Sequence, residues 1–363
     1  MGQGDLFARA EQQLTICNAC RYCEGYCAVF PALETQGRFD ARAAEYLSNL
    51  CHDCRDCLYA CQYAPPHVFG VNIPELFAEV RAESHRRYAW PLPAAQLADK
   101  APWYALRVAL AAVVVLFASL LAFAGPSRLF AIHKGPGAFY QVMPYAVMVT
   151  LFSVLGLIGL VGWVVEGVRY WRAIKEPGAG PVRSADWFGA AADALTLRYL
   201  GGGGAGCADP TDRMSLRKRW MHHLVAYGFG LDLLSTILAA IYQHAFHLEA
   251  PYPLTSPVVI LGTAGGVSML IGGIGLLALK LASDPEASVS RVIAGDLAFI
   301  TSLLLVAASG MLLLALRSTA AMGSLLAVHL GFVAALFLTA PYGKFRRWVF
   351  RYLALVRYRS EAR

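Results

Sequence analysis

Charge is scarce in this chain, and the shortage is the first constraint. Only 15% of its 363 residues are Asp, Glu, Lys or Arg, against 57% hydrophobic. Globular domains in water carry about 25% charged residues, so the composition reads as that of a membrane protein. The formal charge of +7 does not suggest nucleic acid, because the basic residues cluster beside apolar segments. Several motifs are missing too. No Gly-Lys-Ser/Thr follows the glycines of the chain, which excludes a phosphate-binding P-loop. There is no Rossmann glycine fingerprint and no nucleophile triad, so substrate chemistry is expected on another chain. Met1 to Ile16 is polar and holds no hydrophobic signal core. The segment that follows is therefore expected to stay in a reducing cytoplasm.

Cysteine is where the chain is rich. Eight of the nine cysteines stand in two runs of one spacing, Cys17-x-x-Cys20-x-x-Cys23-x-x-x-Cys27 and Cys51-x-x-Cys54-x-x-Cys57-x-x-x-Cys61. A cubic 4Fe–4S cluster takes four thiolates. One tight C-x2-C-x2-C loop reaches three corners, and the fourth comes from elsewhere. In two-cluster ferredoxins the fourth cysteine of each run ligates the other cluster. Cys17, Cys20, Cys23 and Cys61 are therefore expected to hold one cluster, and Cys51, Cys54, Cys57 and Cys27 the other. Structural zinc and disulfides are the plainer alternatives. Zinc sites pair two C-x2-C knuckles across a longer insert, and disulfides need an oxidising compartment. Neither fits the spacing as well. Ala28 and Gln62 follow the fourth cysteines, where bacterial ferredoxins carry proline. Arg38–Leu50 and Ile73–Arg87 read as helices, so a helical two-cluster domain is expected rather than a β-rich one.

Six apolar segments follow, each of about 20 residues, the length that crosses a bilayer. They are Ala105–Ala124, Tyr145–Val165, Leu224–His244, Val258–Leu279, Leu297–Leu316 and Leu325–Ala340. The fold class is thus all-α: a soluble two-cluster ferredoxin-like domain over 1–90, a connector over 91–104 and a six-helix membrane domain over 105–345. Within it, 171–220 is a long loop on the inner side, and 346–363 is a basic tail. Basic residues crowd alternate sides. Arg81, Arg86, Arg87, Lys100 and Arg107 precede or open the first span, and Arg169 to Arg219 fill the long loop. Lys280 and Arg291 flank the next inner loop, and Lys344 to Arg363 close the chain, whereas the other side has only Arg128, Lys134 and Arg317. By the positive-inside rule both termini lie in the cytoplasm, and the protein sits in the cell's inner membrane.

Ionisable residues inside a bilayer are functional candidates. His222, His223, His244 and His329 stand on or at the ends of spans. Histidine is a standard haem ligand, and His244 and His329 both fall on the outer half, so they are the expected axial pair of one b-type haem. His222 and His223 lie about 30 Å away at 1.5 Å per residue. With Lys280 they mark a quinone pocket or second haem on the inner side, or else an interfacial cluster after a basic run. Asp232, mid-span, is either a neutral hydrogen-bonded carboxyl or part of a proton path. The glycines Gly262, Gly265, Gly266, Gly272, Gly273 and Gly275 allow close helix packing or a flat face for a cofactor. In the long loop, Gly201–Gly204, Gly206 and Cys207 read as a flexible stretch with an inert thiol, or as a contact with a partner or the quinone pocket.

Several stretches carry a resemblance. Cys17–Cys27 with its Cys-Asn-Ala-Cys-Arg-Tyr-Cys-Glu-Gly-Tyr-Cys wording, Tyr88–Pro91, Arg219–Gly228, Ala250–Leu254, Val328–Gly331 and Pro341–Phe345 resemble the tricarballylate- and citrate-utilisation membrane iron–sulfur proteins over nearly the whole chain. The resemblance implies two 4Fe–4S clusters and a b-type haem. It also implies a relay that takes electrons from a partner FAD-dependent dehydrogenase of a tricarboxylate and passes them to membrane quinone. It gives Asp232 no role. The expected function is a membrane-bound electron-transfer subunit; a redox-sensing membrane protein and a transporter with a metal module are the rivals.

Overall fold

The computed structural model describes residues 3–93, 96, 98, 101–176 and 180–362. The connector's Ala94, Ala95, Leu97, Asp99 and Lys100 and the terminal Arg363, counted above among connector and tail, lie outside the described residues.

The chain is all-α, as its composition implied. Five helices build the N-terminal domain: α1 (Gln3–Cys20), α2 (Val29–Glu34), α3 (Ala41–Leu50), α4 (Asp56–Tyr59) and α5 (Ile73–Tyr88). Asp40 caps α3 by accepting from the Ala43 amide at 3.0 Å. Asn72 caps α5 in the same way, with Pro74 in its first turn. Leu14, Leu33, Tyr46, Leu47, Leu76 and Phe77 form their shared core. Among the described residues the only strands are a two-residue ribbon, β1 (Cys207–Ala208) antiparallel to β2 (Met214–Ser215).

Six helices are long and apolar enough to cross a membrane. Short distal helices α7 (Pro126–Leu129) and α8 (Ala138–Val142) lie between the first two. The spans are α6 (Tyr104–Phe123), α9 (Tyr145–Ile174), α11 (Arg217–Ala245), α12 (Pro257–Leu281), α13 (Ser290–Leu316) and α14 (Met322–Thr339). Three of them, α9, α11 and α13, run beyond the apolar segments read from the sequence, toward the N-terminal domain. Their extra turns carry the polar residues that dock there, which hydrophobicity alone does not mark. Helix α6 packs on α14, α14 on α13, α13 on α12 and α12 on α11, while α9 rests on α14. At the distal side Gly137 donates to the Ala250 carbonyl (2.9 Å) and Arg317 to that of Tyr252 (2.6 Å), tying the outer loops together.

The glycines of α12 serve close packing on two sides. A Cβ on Gly272 would stand 2.8 Å from the Met221 carbonyl of α11, and one on Gly273 would meet Leu304 of α13 at 2.8 Å. The cofactor-face alternative is therefore set aside.

Two stretches differ from their expected forms. The long loop holds a helix among its described residues: α10 (Ser184–Leu195) packs on the C-terminal helix, where Arg359 grips Asp193 at 2.6 and 2.7 Å. The basic tail is a helix, α15 (Arg346–Glu361), with Arg346, Arg351 and Arg357 buried. These arginines cap helix ends. Arg346 donates to the His85 carbonyl (2.8 Å), Arg351 to that of Leu50 and Arg357 to that of Ile174. Orphan carbonyls at helix C-termini carry partial negative charge and favour such cations.

Candidate functional site

The two cysteine runs fold as a repeat. Helix α1 delivers Cys17 and Cys20 in its last turn, and α4 carries Cys57. In both runs an arginine follows the second cysteine in the left-handed region, Arg21 at φ 55° and Arg55 at φ 69°. Non-glycine residues adopt this conformation when the loop must turn sharply, and here the turn gathers thiols.

The gathering crosses between runs. The Cys17 thiol lies beside Cys61, Cys23 and Cys20, and Cys23 likewise feels Cys61. Cys27 lies beside Cys51, Cys54 feels both, and Cys57 feels Cys54, Cys51 and Cys27. Burial first, and then these neighbours, push the thiols of Cys17 and Cys23 up to about 12; Cys27 is raised as far. Protonated and crowded, such groups suit a bound centre that removes the protons outright. None of the thiols is in a disulfide. Among the described residues no three donors converge on a point where one metal ion would sit.

Donors reach the sulfurs as well. The Asp53 amide donates to Cys51 Sγ at 3.3 Å, and Gln62 Nε2 to Cys20 Sγ at 3.8 Å. Gln62 stands where bacterial ferredoxins have proline and supplies a contact that proline lacks.

The two groups of thiols face different surroundings. The first lies near solvent: Tyr22 is 68% exposed, and Val68 and Phe69 are 91% and 48% exposed on the loop after Cys61. The second is sealed against the spans, with Cys51 and Cys54 only 8% and 6% exposed. Lys218 of α11 donates to the Asp53 carbonyl (2.6 Å), Arg55 to the Asp284 carbonyl (3.1 Å) and Arg347 to the Cys51 carbonyl (3.3 Å). Burial opposes ionisation of Asp53, but Lys218, Arg55 and Arg81 outweigh it and hold the carboxyl well below the usual range. Arg351 stands beside both Cys51 and Cys27.

The glycine loop closes over these turns. Gly203 donates to the Tyr26 carbonyl (3.1 Å), and Ala208 to Asp56 Oδ1 (2.6 Å). Cys207 is buried with Cys54, Leu197 and Leu200. The loop therefore covers this chain's own thiol loops, an alternative the sequence reading did not include.

The membrane histidines are less convergent. His244 Nε2 lies 2.8 Å from the Tyr145 hydroxyl, at the distal start of α9. His329 Nδ1 lies 3.1 Å from Ser309 Oγ on α13, beside Gly310. The two rings rest on different helices, α11 and α14, as an axial pair on one haem would. His223 sits between Trp220 and Tyr227, an interfacial setting. Lys280 pairs with Asp296 at 2.8 Å. His222 is within electrostatic reach of His52, Lys218, Arg347 and Lys344, under the second thiol group. The Asp232 carboxylate packs against Gly265 where α11 crosses α12.

A cavity of about 770 Å³ lies where the N-terminal domain meets α6, α13 and α14. Arg81, Phe299, Tyr342 and Arg347 are in its wall, and His222, His223 and Lys280 are not. Sequence reading missed it because its walls come from segments far apart in the chain; Arg81, Arg86, Arg291 and Lys344 had drawn notice for their charge.

Comparison with known proteins agrees with this division. The family of citrate utilization protein B matches residues 99–363, and its Fer4-like domain matches residues 10–87. Citrate utilization protein B of Escherichia coli is 42% identical over 358 residues, covering 98% of this chain and 93% of that protein. No solved structure matches the chain. With both parts matched and the relative aligned nearly end to end, the chain belongs to the citrate utilization protein B family.

Proposed function

We propose that this chain is the membrane-bound electron-transfer subunit of an oxidoreductase, carrying electrons from a partner FAD-dependent dehydrogenase through two 4Fe–4S clusters to quinone. The observation that carries it is the folding of the two cysteine runs: thiols of different runs lie within electrostatic reach of one another, the loops beside Tyr22 and Phe69 are open to solvent, and Cys51 and Cys54 are buried. Bound clusters supply one-electron transfer, which a two-electron flavin and a two-electron quinone need between them. The protein's part is to hold and tune. Cys17, Cys20, Cys23 and Cys61 hold the exposed cluster, and Cys51, Cys54, Cys57 and Cys27 the buried one. Amide donors and the Arg351 charge favour the reduced form of the buried cluster, and burial opposes it. Electrons arrive at the exposed group, beside Tyr22 and Phe69, where a flavoprotein can approach. They leave from the buried group, beneath α11 and α13.

The partner's substrate in this reading is tricarballylate or a related tricarboxylate, and the relative's name, which speaks of citrate utilization, supports that class of acid. Both termini face the cytoplasm in this reading, on the charge of the loops and the need for reduced thiols. A b-type haem, if bound, would be held by His244 and His329, and no step is routed through it.

The test is anaerobic purification in detergent, followed by iron and sulfide analysis and a quinone-reduction assay with a flavoprotein donor. About eight irons with matching sulfide, as two four-iron clusters require, and donor-dependent quinol formation are expected. Zinc without sulfide would overturn the cluster assignment. Intact clusters without quinone reduction would leave a redox sensor.

A further inference from the structure

The cavity between the N-terminal domain and the spans has a wall that the reading so far has not used. Its volume, about 770 Å³, falls in the range of small-molecule sites, about 300–1,000 Å³. Ala105 of α6, Val292 and Phe299 of α13 and Thr339 of α14 line its membrane part. Arg81, Tyr342 and Arg347 line the part under the N-terminal domain.

The chemistry of the wall narrows the ligand. Its charged groups are already engaged. Arg81 donates to the Ser48 carbonyl (2.9 Å), and Glu83 pairs with Arg86 (2.5 Å). Lys344 pairs with Asp296, and Arg346 serves the carbonyls of His85 and Tyr342, each at 2.8 Å. A dianion such as a phosphate headgroup would have to compete with these partners. A neutral molecule with carbonyl oxygens needs only one N–H of Arg347 and the Tyr342 hydroxyl. An apolar body on one side and donors on the other match a flat ring with an isoprenoid tail.

Position supplies the second argument. Arg347 lines the cavity and donates to the carbonyl of Cys51 at 3.3 Å. One side chain therefore links the cavity wall to the backbone of a cysteine of the buried group. We propose that this cavity is the quinone site, in place of the neighbourhood of His222, His223 and Lys280; the assignment rests on the electron-transfer reading above. The quinone ring lies against Phe299 with a carbonyl toward Arg347, and its tail leaves between the spans. Reduction takes two electrons, which a bound cluster held by Cys51, Cys54, Cys57 and Cys27 would supply one at a time. Two protons come from solvent on the N-terminal-domain side, and both C=O groups become C–OH.

Gly295 gives a clean test, since it lines the cavity and a Cβ there meets no atom within 4 Å. Gly295→Leu should fill the site without disturbing the helix. Gly230→Leu, on α11 with equally open surroundings, is the control. The full chain is reconstituted in phosphatidylcholine nanodiscs and exposed to a photoreactive azidoquinone. Labelled peptides are mapped by mass spectrometry, and bound unlabelled quinone is counted after extraction. The expected result is labelling within 289–299 or 339–347 and a loss of about tenfold or more in quinone affinity for Gly295→Leu, with iron content and dithionite reduction of the clusters unchanged. Gly230→Leu should behave as the wild type. Labelling elsewhere with Gly295→Leu unaffected would overturn the site while leaving quinone as the acceptor. A phospholipid retained in the cavity and not displaced by quinone would overturn it as well. No quinone binding or reduction at all, with clusters intact, would sink the function reading itself and the site with it.

Discussion

Arg347 donates to the Cys51 carbonyl over 3.3 Å, and so joins the C-terminal helix to the loop that carries the buried thiols. Beside it Arg351 donates to the carbonyl of Leu50, and Arg81 of α5 donates to that of Ser48 at 2.9 Å. Three arginines thus converge on the C-terminal end of α3, where the carbonyls carry partial negative charge. The residue that follows this helix is Cys51. The contacts of Arg347 and Arg351 that tie the N-terminal domain to the C-terminal helix therefore place positive charge beside the buried thiol group.

That charge should set a potential. Arg351 stands beside Cys51 and Cys27. Reduction adds negative charge to a cluster, and a neighbouring cation stabilises the product. Arg351→Gln should lower the potential of the buried cluster by on the order of 60 mV, about tenfold in a one-electron equilibrium, and leave the exposed cluster where it is. Arg351→Lys should recover most of the shift. A redox titration followed by electron paramagnetic resonance reads both clusters. Equal shifts in the two would point to a general loosening of the domain.

The crossing of the runs can be separated from a straight arrangement by one double variant. Cys17 and Cys61 belong to different runs but to one spatial group. If they hold one cluster, Cys17→Ser with Cys61→Ser should leave about four irons and one cluster signal. If each run held its own cluster, the same pair would damage both. Cys207 packs on Cys54 but belongs to neither group, so Cys207→Ser should keep the full iron content.

The cysteine runs and the six spans were legible because both are local patterns, a fixed spacing and a run of apolar residues. What was not legible depends on which helices become neighbours. His244 and His329 stand out in the sequence, but the partners of their rings, Tyr145 and Ser309, do not. The basic tail was counted for its charge, and counting does not reveal that Arg346, Arg351 and Arg357 are buried on helix ends. The glycine loop is ambiguous for a physical reason. Glycine permits flexibility, but it also permits close approach. At Gly203, φ is 71° and a Cβ would fall 2.7 Å from the Gly25 carbonyl, so here the residue serves contact.

His85 should make docking of the N-terminal domain sensitive to acid. Its ring stacks on Phe350 at 4.7 Å, and Asn49 Oδ1 accepts from its Nε2 at 3.2 Å. Burial, followed by Arg346, Lys344, Arg347 and Arg81, holds its pKa well below 6.5. As pH falls through 6.5, the unfolded chain takes up a proton that the folded domain refuses. The stabilisation is therefore complete above that value and lost below it, by up to about 1.4 kcal/mol per pH unit for one proton. Hydrogen exchange in Ile73–Tyr88 should quicken between pH 6.5 and 5.5 on this account, and His85→Gln should flatten the response. An unchanged slope in that variant would assign the effect to another group.

The last expectation links the membrane packing to the thiol loops. Gly272 of α12 lies so close to α11 that a Cβ would stand 2.8 Å from the Met221 carbonyl and 2.9 Å from the Val225 amide. These are backbone atoms and cannot turn aside, so Gly272→Ala should push the two helices apart at a cost of about 1–3 kcal/mol. Gly230→Ala, with no atom within 4 Å of the new carbon, should be neutral or slightly stabilising through helix propensity. The displaced helix is the one whose Lys218 holds the Asp53 carbonyl at 2.6 Å. Gly272→Ala should therefore lower the melting temperature in detergent and also broaden the resonance of the buried cluster, while the exposed cluster stays sharp. A lower melting temperature with both signals unchanged would mean that α11 supports the bundle without positioning the loop at Asp53.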